Sequence, residues 1–343
     1  MMRIKIYGAG SIGNHHANAA RQLGWDVTVC DLDDEALNRM QTSIYPDRYG
    51  NWDDSIKLFN NSACPRGNFD LVIIGTPPDS HLKILDQVID EKPRAVLVEK
   101  PLCTPFSKNI SLVNSKLKEK NISGFIGYDH VVSDSVQKAD DIIMSKVLGN
   151  VEKIDVEFRE YWGGIFAAHP WLAGPHESYL GYIEKGGGAL CEHSHALNLW
   201  QHFSDISEVG KPVVVDSKIS FVKERGMNYD SESILKIETE KGLTGHVIQD
   251  VITEPTSKKA LIIGSKGSLE IEFGYNGIGD LITLKSDKFN KNYLFKKSRP
   301  DDFIKELEHI SKYIDNSSAS PISISKGVNT MEIIVHAFRE EID

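Results

Sequence analysis

The chain has 343 residues, 40% of them hydrophobic and 26% charged, and carries a net charge of −10. That is the composition of an ordinary globular chain, its length suits two domains better than one, and the acidic balance without a block of Lys and Arg argues against a nucleic-acid surface. No stretch reaches the length of a membrane span, and the chain begins as a strand, not as a signal peptide. Cys30, Cys64, Cys103 and Cys191 are widely spaced and form no C-x-x-C pair, which predicts free thiols in a reducing cytoplasm.

Met1–Tyr7 reads as a short strand, with Ile4 and Ile6 alternating against Arg3 and Lys5. It runs into Gly8-Ala9-Gly10-Ser11-Ile12-Gly13, then a helical stretch to Leu23, a strand Asp26–Cys30, and Asp31. Strand, glycine-rich turn, helix, strand and acid in this order predict a dinucleotide site. Gly8 allows a tight turn, Gly10 lets a pyrophosphate approach the backbone, and Gly13 lets helix and strand pack closely. The helix N-terminus offers unpaired N–H groups and a positive dipole end to the phosphates. Asp31 suits the hydroxyls of an adenosine ribose. Asp33, Asp34 and Glu35 behind it would repel a 2′-phosphate, so NAD is expected over NADP.

A helix is expected to about Gln41, then a connector with a short helix around Asp53–Phe59. Phe69–Gly75 is a continuous apolar strand that ends in Thr76-Pro77-Pro78, with Ser80 and His81 opening the next helix. Ala95–Val98 is a buried strand ending in Glu99-Lys100-Pro101. A helix from about Pro105 to Lys120 and a strand Ile122–Tyr128 follow. Strands alternating with helices imply a parallel α/β domain.

Beyond this the pattern changes. Ser133–Lys146 predicts an amphipathic helix, and Val151–Tyr161 a long half-buried strand. Val213–Val222, Ser233–Thr239, Thr244–Val251, Lys259–Ile263, Ser268–Phe273, Leu281–Leu284 and Tyr293–Phe295 are further strands. Helices at about Asp301–Ile314 and Lys326–Glu341 close the chain. Strands in series imply a large, mainly antiparallel sheet.

Gly8–Gly13, the Thr76-Pro77-Pro78 turn with His81, and Glu99-Lys100-Pro101-Leu102 resemble the Gfo/Idh/MocA oxidoreductases (glucose–fructose oxidoreductase, inositol dehydrogenase and relatives). The resemblance implies a Rossmann NAD-binding domain over residues 1–123. It also implies an α+β substrate and oligomerisation domain over residues 124–343, pairing copies through its sheet as a homodimer or homotetramer. It places Gly8, Gly10, Ser11, Ile12, Gly13, Asp31, Thr76, Pro77, His81, Glu99 and Lys100 at the cofactor. Lys100 is expected to reach the reacting carbon, next to a cis peptide at Pro101. Without the resemblance, Lys100 would read as a solvated lysine at a strand end.

Gly186-Gly187-Gly188 opens a second chemical stretch, Ala189 to Asn198. In the family this helix carries an acid and a histidine that face the nicotinamide, commonly as D-x-G-x-H after the glycines. This chain is closer to a shorter variant, D-x-S-H-x-x-D, of members from surface-sugar pathways. In that register Glu192 takes the acid, His195 the histidine, and Asn198 replaces the second Asp. Glu192 and His195 are three apart, which predicts one helix face, with His193 turned away. Glu192-x-x-His195 also matches half of a di-iron site; such a site needs a second E-x-x-H and two further glutamates on facing helices, and no metal is expected.

The segment Tyr161–Lys185, with Tyr161, Trp162, His169, Trp171, His176, Tyr179 and Tyr182, suits a sugar's C–H faces and hydroxyls, and suits equally a loop anchored in the core. Tyr128, Asp129 and His130 complete the substrate candidates, at a place where the family often has Asn and Arg-Phe. These residues together predict an NAD-dependent oxidoreductase of a sugar, sugar derivative or cyclitol, with His195 as base, Lys100 as electrostatic partner and Glu192 beside His195. A non-catalytic NAD(H)-sensing regulator and a lyase with retained NAD are the rivals.

Overall fold

The computed structural model describes residues 1–167, 170–287 and 289–342. In chain order the elements begin β1 (Arg3–Tyr7), α1 (Ser11–Gln22), β2 (Asp26–Asp31), α2 (Asp34–Arg39), α3 (Tyr45–Tyr49), β3 (Lys57–Asn60), β4 (Leu71–Ile74), α4 (Pro78–Glu91), β5 (Ala95–Val98), α5 (Val113–Glu119) and β6 (Ser123–Ile126). Then come α6 (Asp134–Met144), β7 (Val151–Arg159), α7 (Trp162–Ala167), α8 (Ala189–Glu192) and α9 (His195–Ile206). A run of strands follows: β8 (Pro212–Glu224), β9 (Met227–Thr239), β10 (Thr244–Asp250), β11 (Ser257–Gly264), β12 (Gly267–Tyr275), β13 (Gly279–Ser286) and β14 (Asn290–Lys296). Helices α10 (Asp301–Tyr313) and α11 (Ile324–Ile342) close the chain. Among the described residues no helix is long and apolar enough to cross a membrane.

Two compact units divide the chain: Met1–Cys103 with Asn109–Asp129 and Ser298–Val328, and Thr104–Lys108 with His130–Lys297 and Asn329–Asp343. The first holds a six-stranded sheet in the order β3-β2-β1-β4-β5-β6, with every pair parallel. This is the doubly wound order, and the strand sequence reverses between β1 and β4. β4 and β5 are buried along their whole length, as a sheet covered on both faces requires. β1 is covered too, so Lys5 is not on a solvent face. It is wholly buried and its ammonium pairs with Glu91.

Two expected helices in this unit are corrected. Lys57–Asn60 is a strand, because it pairs in parallel with Thr28–Asp31 and satisfies the β2 edge. The helix after Pro105 is only α5, preceded by a 3-10 turn at Ile110–Leu112, because Asn109 takes a left-handed backbone (φ 62°). The cysteine expectation is corrected as well. Cys30 and Cys64 form a disulfide, since β2 and the loop after β3 bring their Cα atoms to 6.2 Å; Cys103 and Cys191 are buried.

The second unit holds an eight-stranded sheet in the order β14-β13-β12-β11-β7-β10-β9-β8, antiparallel except for β7 with β10. β7 alternates buried Ile154, Val156 and Phe158 with half-exposed neighbours, so one face takes the core. Helix α9 packs on that face, and its buried Trp200 donates from Nε1 to the Ile154 carbonyl at 2.7 Å. In the first unit, α10 packs along α1, with Phe303 stacked on His15 at 4.8 Å between centroids.

Candidate active site

In the first unit, β1 ends in the glycine-rich turn and α1 begins at Ser11. Gly8 has φ +107°, and a Cβ there would lie 2.7 Å from the Gly75 carbonyl oxygen. A Cβ on Gly13 would lie 1.9 Å from the Gly8 oxygen, so turn and helix close only around glycine. Gly10 is the opposite case: nothing lies within 4 Å of a Cβ built there, and the residue is exposed. The turn is therefore tight where it meets its own sheet and open where a pyrophosphate would approach. Asp31 Oδ2 accepts from the Ala9 N–H at 2.7 Å, and Oδ1 accepts from the Asp33 N–H at 3.0 Å. Its carboxylate thus ties the end of β2 to the turn that would cradle the phosphates. These residues fit a dinucleotide.

The turns after β4 and β5 are tied together by His81. Its ring is wholly buried, with Nε2 2.7 Å from the Thr76 oxygen and Nδ1 3.0 Å from the Pro101 oxygen. Burial holds its pKa below the usual imidazole value, against the pull of these carbonyls. A neutral ring donates to only one of them. Thr76 Oγ1 also meets Ser80 Oγ at 2.6 Å, and Pro77 precedes α4, whose first residue is Pro78. Lys100 is partly exposed at the carboxyl end of β5, and the Lys100–Pro101 peptide is cis, as the resemblance implied. Glu99 is turned inward, with Oε1 2.6 Å from His16 Nε2 and Oε2 facing the Lys100 N–H at 3.3 Å. Tyr128 is buried after β6, and Asp129 is partly exposed.

In the second unit the expected continuous helix is broken. Glu192 ends α8, His193 leaves the helical range (ψ 24°), and α9 starts at His195. Glu192 and His195 therefore do not lie on one continuous helix. The backbone instead re-aims between them, and His193 is buried. Glu192 Oε2 accepts from the Tyr179 hydroxyl at 3.2 Å. His195 stands beside His130, ring centroids 4.6 Å apart, with Phe158 and Phe273 flanking His130 at 5.3 and 5.4 Å. Trp162 is buried against Tyr229, centroids 4.7 Å apart, in a cluster with Leu180, Ala189 and Val251 that Tyr179 also joins. His176 is exposed, and its carbonyl accepts from the Tyr182 hydroxyl at 3.1 Å. His169 lies outside the described residues.

Sequence reasoning missed two residues that shape these sites. Arg48, from α3, donates from Nη1 to Ser11 Oγ at 2.9 Å and to the Ser11 carbonyl at 3.2 Å, which sets a cation beside the first turn of α1. Burial lowers its pKa from the ordinary guanidinium value. Asp230, wholly buried on β9, accepts from the Leu190 N–H at 2.7 Å and so caps α8, the helix that ends at Glu192. A Cβ on Gly188 (φ +89°) would lie 1.9 Å from Asp230 Oδ1. Burial pushes the Asp230 carboxyl up to about 7, while the bond from the Leu190 N–H pulls the other way. Neither residue has a local signal, because each partner is about forty positions away in sequence.

Comparison with known proteins agrees with this geometry. Residues 2–126 match the Gfo/Idh/MocA family model, described as an oxidoreductase family with an NAD-binding Rossmann fold. No curated protein matches the chain at the level of sequence. Among solved structures, the WlbA dehydrogenase from Bordetella pertussis, in complex with NADH and UDP-GlcNAcA, has a TM-score of 0.74 at 18% identity, over 100% of this chain and 97% of that one. Levoglucosan dehydrogenase in complex with NADH has a TM-score of 0.78 at 16% identity, over 99% and 96%. A 3-ketoreductase from Actinomadura kijaniata, in complex with NADP, has a TM-score of 0.75 at 13% identity, over 99% and 97%. These likenesses extend the shared fold to the whole chain. The glycine turn, the parallel sheet and the family match agree on an NAD-binding Rossmann domain over residues 2–126 that is similar to that of the Gfo/Idh/MocA oxidoreductase family.

Proposed function

We propose that the protein is an NAD-dependent oxidoreductase that moves hydride between the nicotinamide and a secondary alcohol or ketone of a sugar, a sugar derivative or a cyclitol. Nucleotide sugars of surface-polysaccharide pathways are among the candidates. The observation that carries this reading is the open Gly10 at a phosphate-type turn, in the same sheet as Glu99 and Lys100 at the end of β5. Bound NAD supplies the hydride acceptor. His195 takes the hydroxyl proton, as an imidazole near neutral pKa can, and returns it in the reverse direction. Lys100 hydrogen-bonds the substrate oxygen and stabilises the charge that develops there. Glu192 orients His195 or binds a neighbouring hydroxyl, and Tyr179, which donates to it, belongs to the same wall.

Substrate contacts from Tyr128, Asp129, His130, Trp162 and His176 are part of the same proposal. The solved structures with UDP-GlcNAcA and of levoglucosan dehydrogenase support a carbohydrate substrate. Pairing through the large sheet as a homodimer or homotetramer also belongs to it, and light scattering on the purified protein checks this. So does a cytoplasmic location. The Cys30–Cys64 bond counts against that location, since disulfides are rare in reducing compartments. Thiols trapped with iodoacetamide at cell lysis decide the point.

The test of function is a screen of sugars, cyclitols and nucleotide sugars with NAD on purified protein, followed by NADH absorbance. Turnover of at least one class is expected. Tight NADH binding without any turnover would indicate a sensing regulator. NAD that co-purifies and yields no net NADH would indicate a lyase.

A further inference from the structure

Glu306 lies two hundred residues beyond the Glu99-Lys100 turn in sequence, yet in the first unit it stands against it. Its side chain is on α10 and 1% of the residue is exposed. Neither carboxyl oxygen has a hydrogen-bond partner. Ligand-type atoms of Glu306, Glu99 and His16 all lie within 4.8 Å of one another. The charged groups that act on Glu306 are Glu99 after β5, Asp129 after β6 and Asp302 on its own helix, with His16 of α1 beside it and Glu99. Glu306 is thus cut off from water, with Glu99 against it and the charges of Asp129 and Asp302 acting on it. An ionised carboxylate in that place would lose its hydration and meet only repulsion from them, so a proton is the least costly way to keep it.

Glu99 is the part of the cluster that reaches the site. A Cβ on Gly127 would lie 2.6 Å from Glu99 Oε2, so this carboxylate occupies space that only a glycine leaves. The same oxygen faces the Lys100 N–H. Where Glu99 sits therefore sets where the Lys100 backbone sits.

We propose that Glu306 is a positioning residue for the Lys100 turn: as the neutral acid it packs against His16 and Glu99 without adding a charge that would repel Glu99, and so leaves the His16–Glu99 bond and the backbone behind it in place. The inference rests on the role of Lys100 proposed above. A metal ion is the competing occupant of the same three groups. His16 and Glu99 approach to 2.6 Å, a hydrogen-bond distance. Two ligands each about 2.1 Å from a metal, at right angles, would stand roughly 3.0 Å apart.

Desolvation and the neighbouring acids raise the folded pKa of Glu306 well above 4.5. The folded chain then binds a proton that the unfolded chain releases, so stability falls as pH rises from the unfolded value up to the folded one.

The test uses Glu306→Gln and Glu306→Ala in the full chain, each also in a Lys100→Met background. Infrared spectra of the wild type at neutral pH should show the C=O band of a protonated carboxylic acid that the Gln variant lacks. The wild-type Tm should fall more steeply with pH than that of the Gln variant. Turnover of the best substrate from the screen should drop about tenfold to a hundredfold in the Ala variant, and Gln should restore most of it. In the Lys100→Met background the Ala change should add little.

Matching infrared bands and Tm slopes would mean that Glu306 is ionised and would overturn the proposal. A stoichiometric divalent metal in purified wild type, lost in the Gln variant, would overturn it in favour of a cation site. An Ala penalty undiminished beside Lys100→Met would show that Glu306 does not act through Lys100. Full activity of Lys100→Met alone would refute the underlying reading of Lys100. That outcome is read from a variant that leaves Glu306 untouched, and the infrared band still reports the proton.

Discussion

In the first unit the candidate residues sit on three turns that leave the carboxyl ends of parallel strands: Gly8–Gly13 after β1, Thr76–Pro78 after β4, and Glu99–Pro101 after β5. In the second unit they sit where a helix breaks, with Glu192 on one side of His193 and His195 on the other. The first site is made largely of backbone, held by close approaches at Gly8 and Gly13 and by the buried His81 between two turns. The second is made of side chains, with Tyr179 on Glu192, His130 beside His195, and Asp230 capping the short helix. A backbone site tolerates change in its surroundings, because its donors belong to the main chain of a turn anchored to the sheet. A side-chain site depends on each residue that aims it. Variants in the second unit should therefore disturb chemistry, and variants at the cofactor turns should disturb binding.

His195→Asn is the sharpest probe. It should lower the oxidation rate roughly a hundred- to ten-thousandfold. In the wild type the rate should rise with pH through the imidazole range and then level, because oxidation requires the neutral ring. Profiles of kcat against pH for both proteins check this. An unchanged limb in the variant moves the base to Lys100, and a fully active variant takes His195 out of the chemistry.

Lys100→Met comes next and crosses the comparison, since it is a side-chain contribution from the backbone-built unit. It should cost about a hundredfold in turnover and leave NADH affinity and Tm near wild type. Fluorescence titration with NADH beside steady-state rates separates the two effects, and retained activity removes Lys100 from catalysis.

Asp230→Asn probes the cap on α8. Because burial raises the Asp230 carboxyl from 3.8 to about 7, the folded chain holds a proton that the unfolded chain releases. Stability should fall as pH rises between these values, by up to about 1.4 kcal/mol per pH unit, and stay level above them. The Asn variant should flatten that slope. Tm measured across the window tests it, and identical slopes would show that Asp230 is ionised throughout.

The smallest effect is cofactor choice. Asp31 and the acids behind it should favour NAD over NADP at least about tenfold, near 1.4 kcal/mol. Calorimetry with both cofactors measures the ratio. Equal affinities would mean that Asp31 serves only the turn, through its bonds to the N–H groups of Ala9 and Asp33.

Wherever function depends on a short stretch of backbone, the residues were readable. The glycine spacing, the apolar runs at Leu71–Ile74 and Ala95–Val98, and the alternation of β7 each follow from local sterics and from burial with a fixed period. Local pattern failed where a distant partner decides. Lys57–Asn60 is a strand because β2 offers it an edge, and Lys5 is buried because Glu91 comes to meet it. Cys30 and Cys64 meet only because β2 and the loop after β3 do. The helix break at His193 likewise has no glycine or proline to announce it.

By itself the sequence determined the NAD-binding region, with its glycine-rich turn and the strands β1, β2, β4 and β5. These depend on residue type and spacing along one segment, whereas Lys100 and His195 were singled out by the resemblance to the family. Only the tertiary structure decided what surrounds those groups: Arg48 at the first turn of α1, Asp230 under α8, and Glu306 against Glu99. Each joins positions about forty to two hundred residues apart in sequence. Their protonation and aim come from burial and from neighbouring charge, and neither exists until the chain has folded.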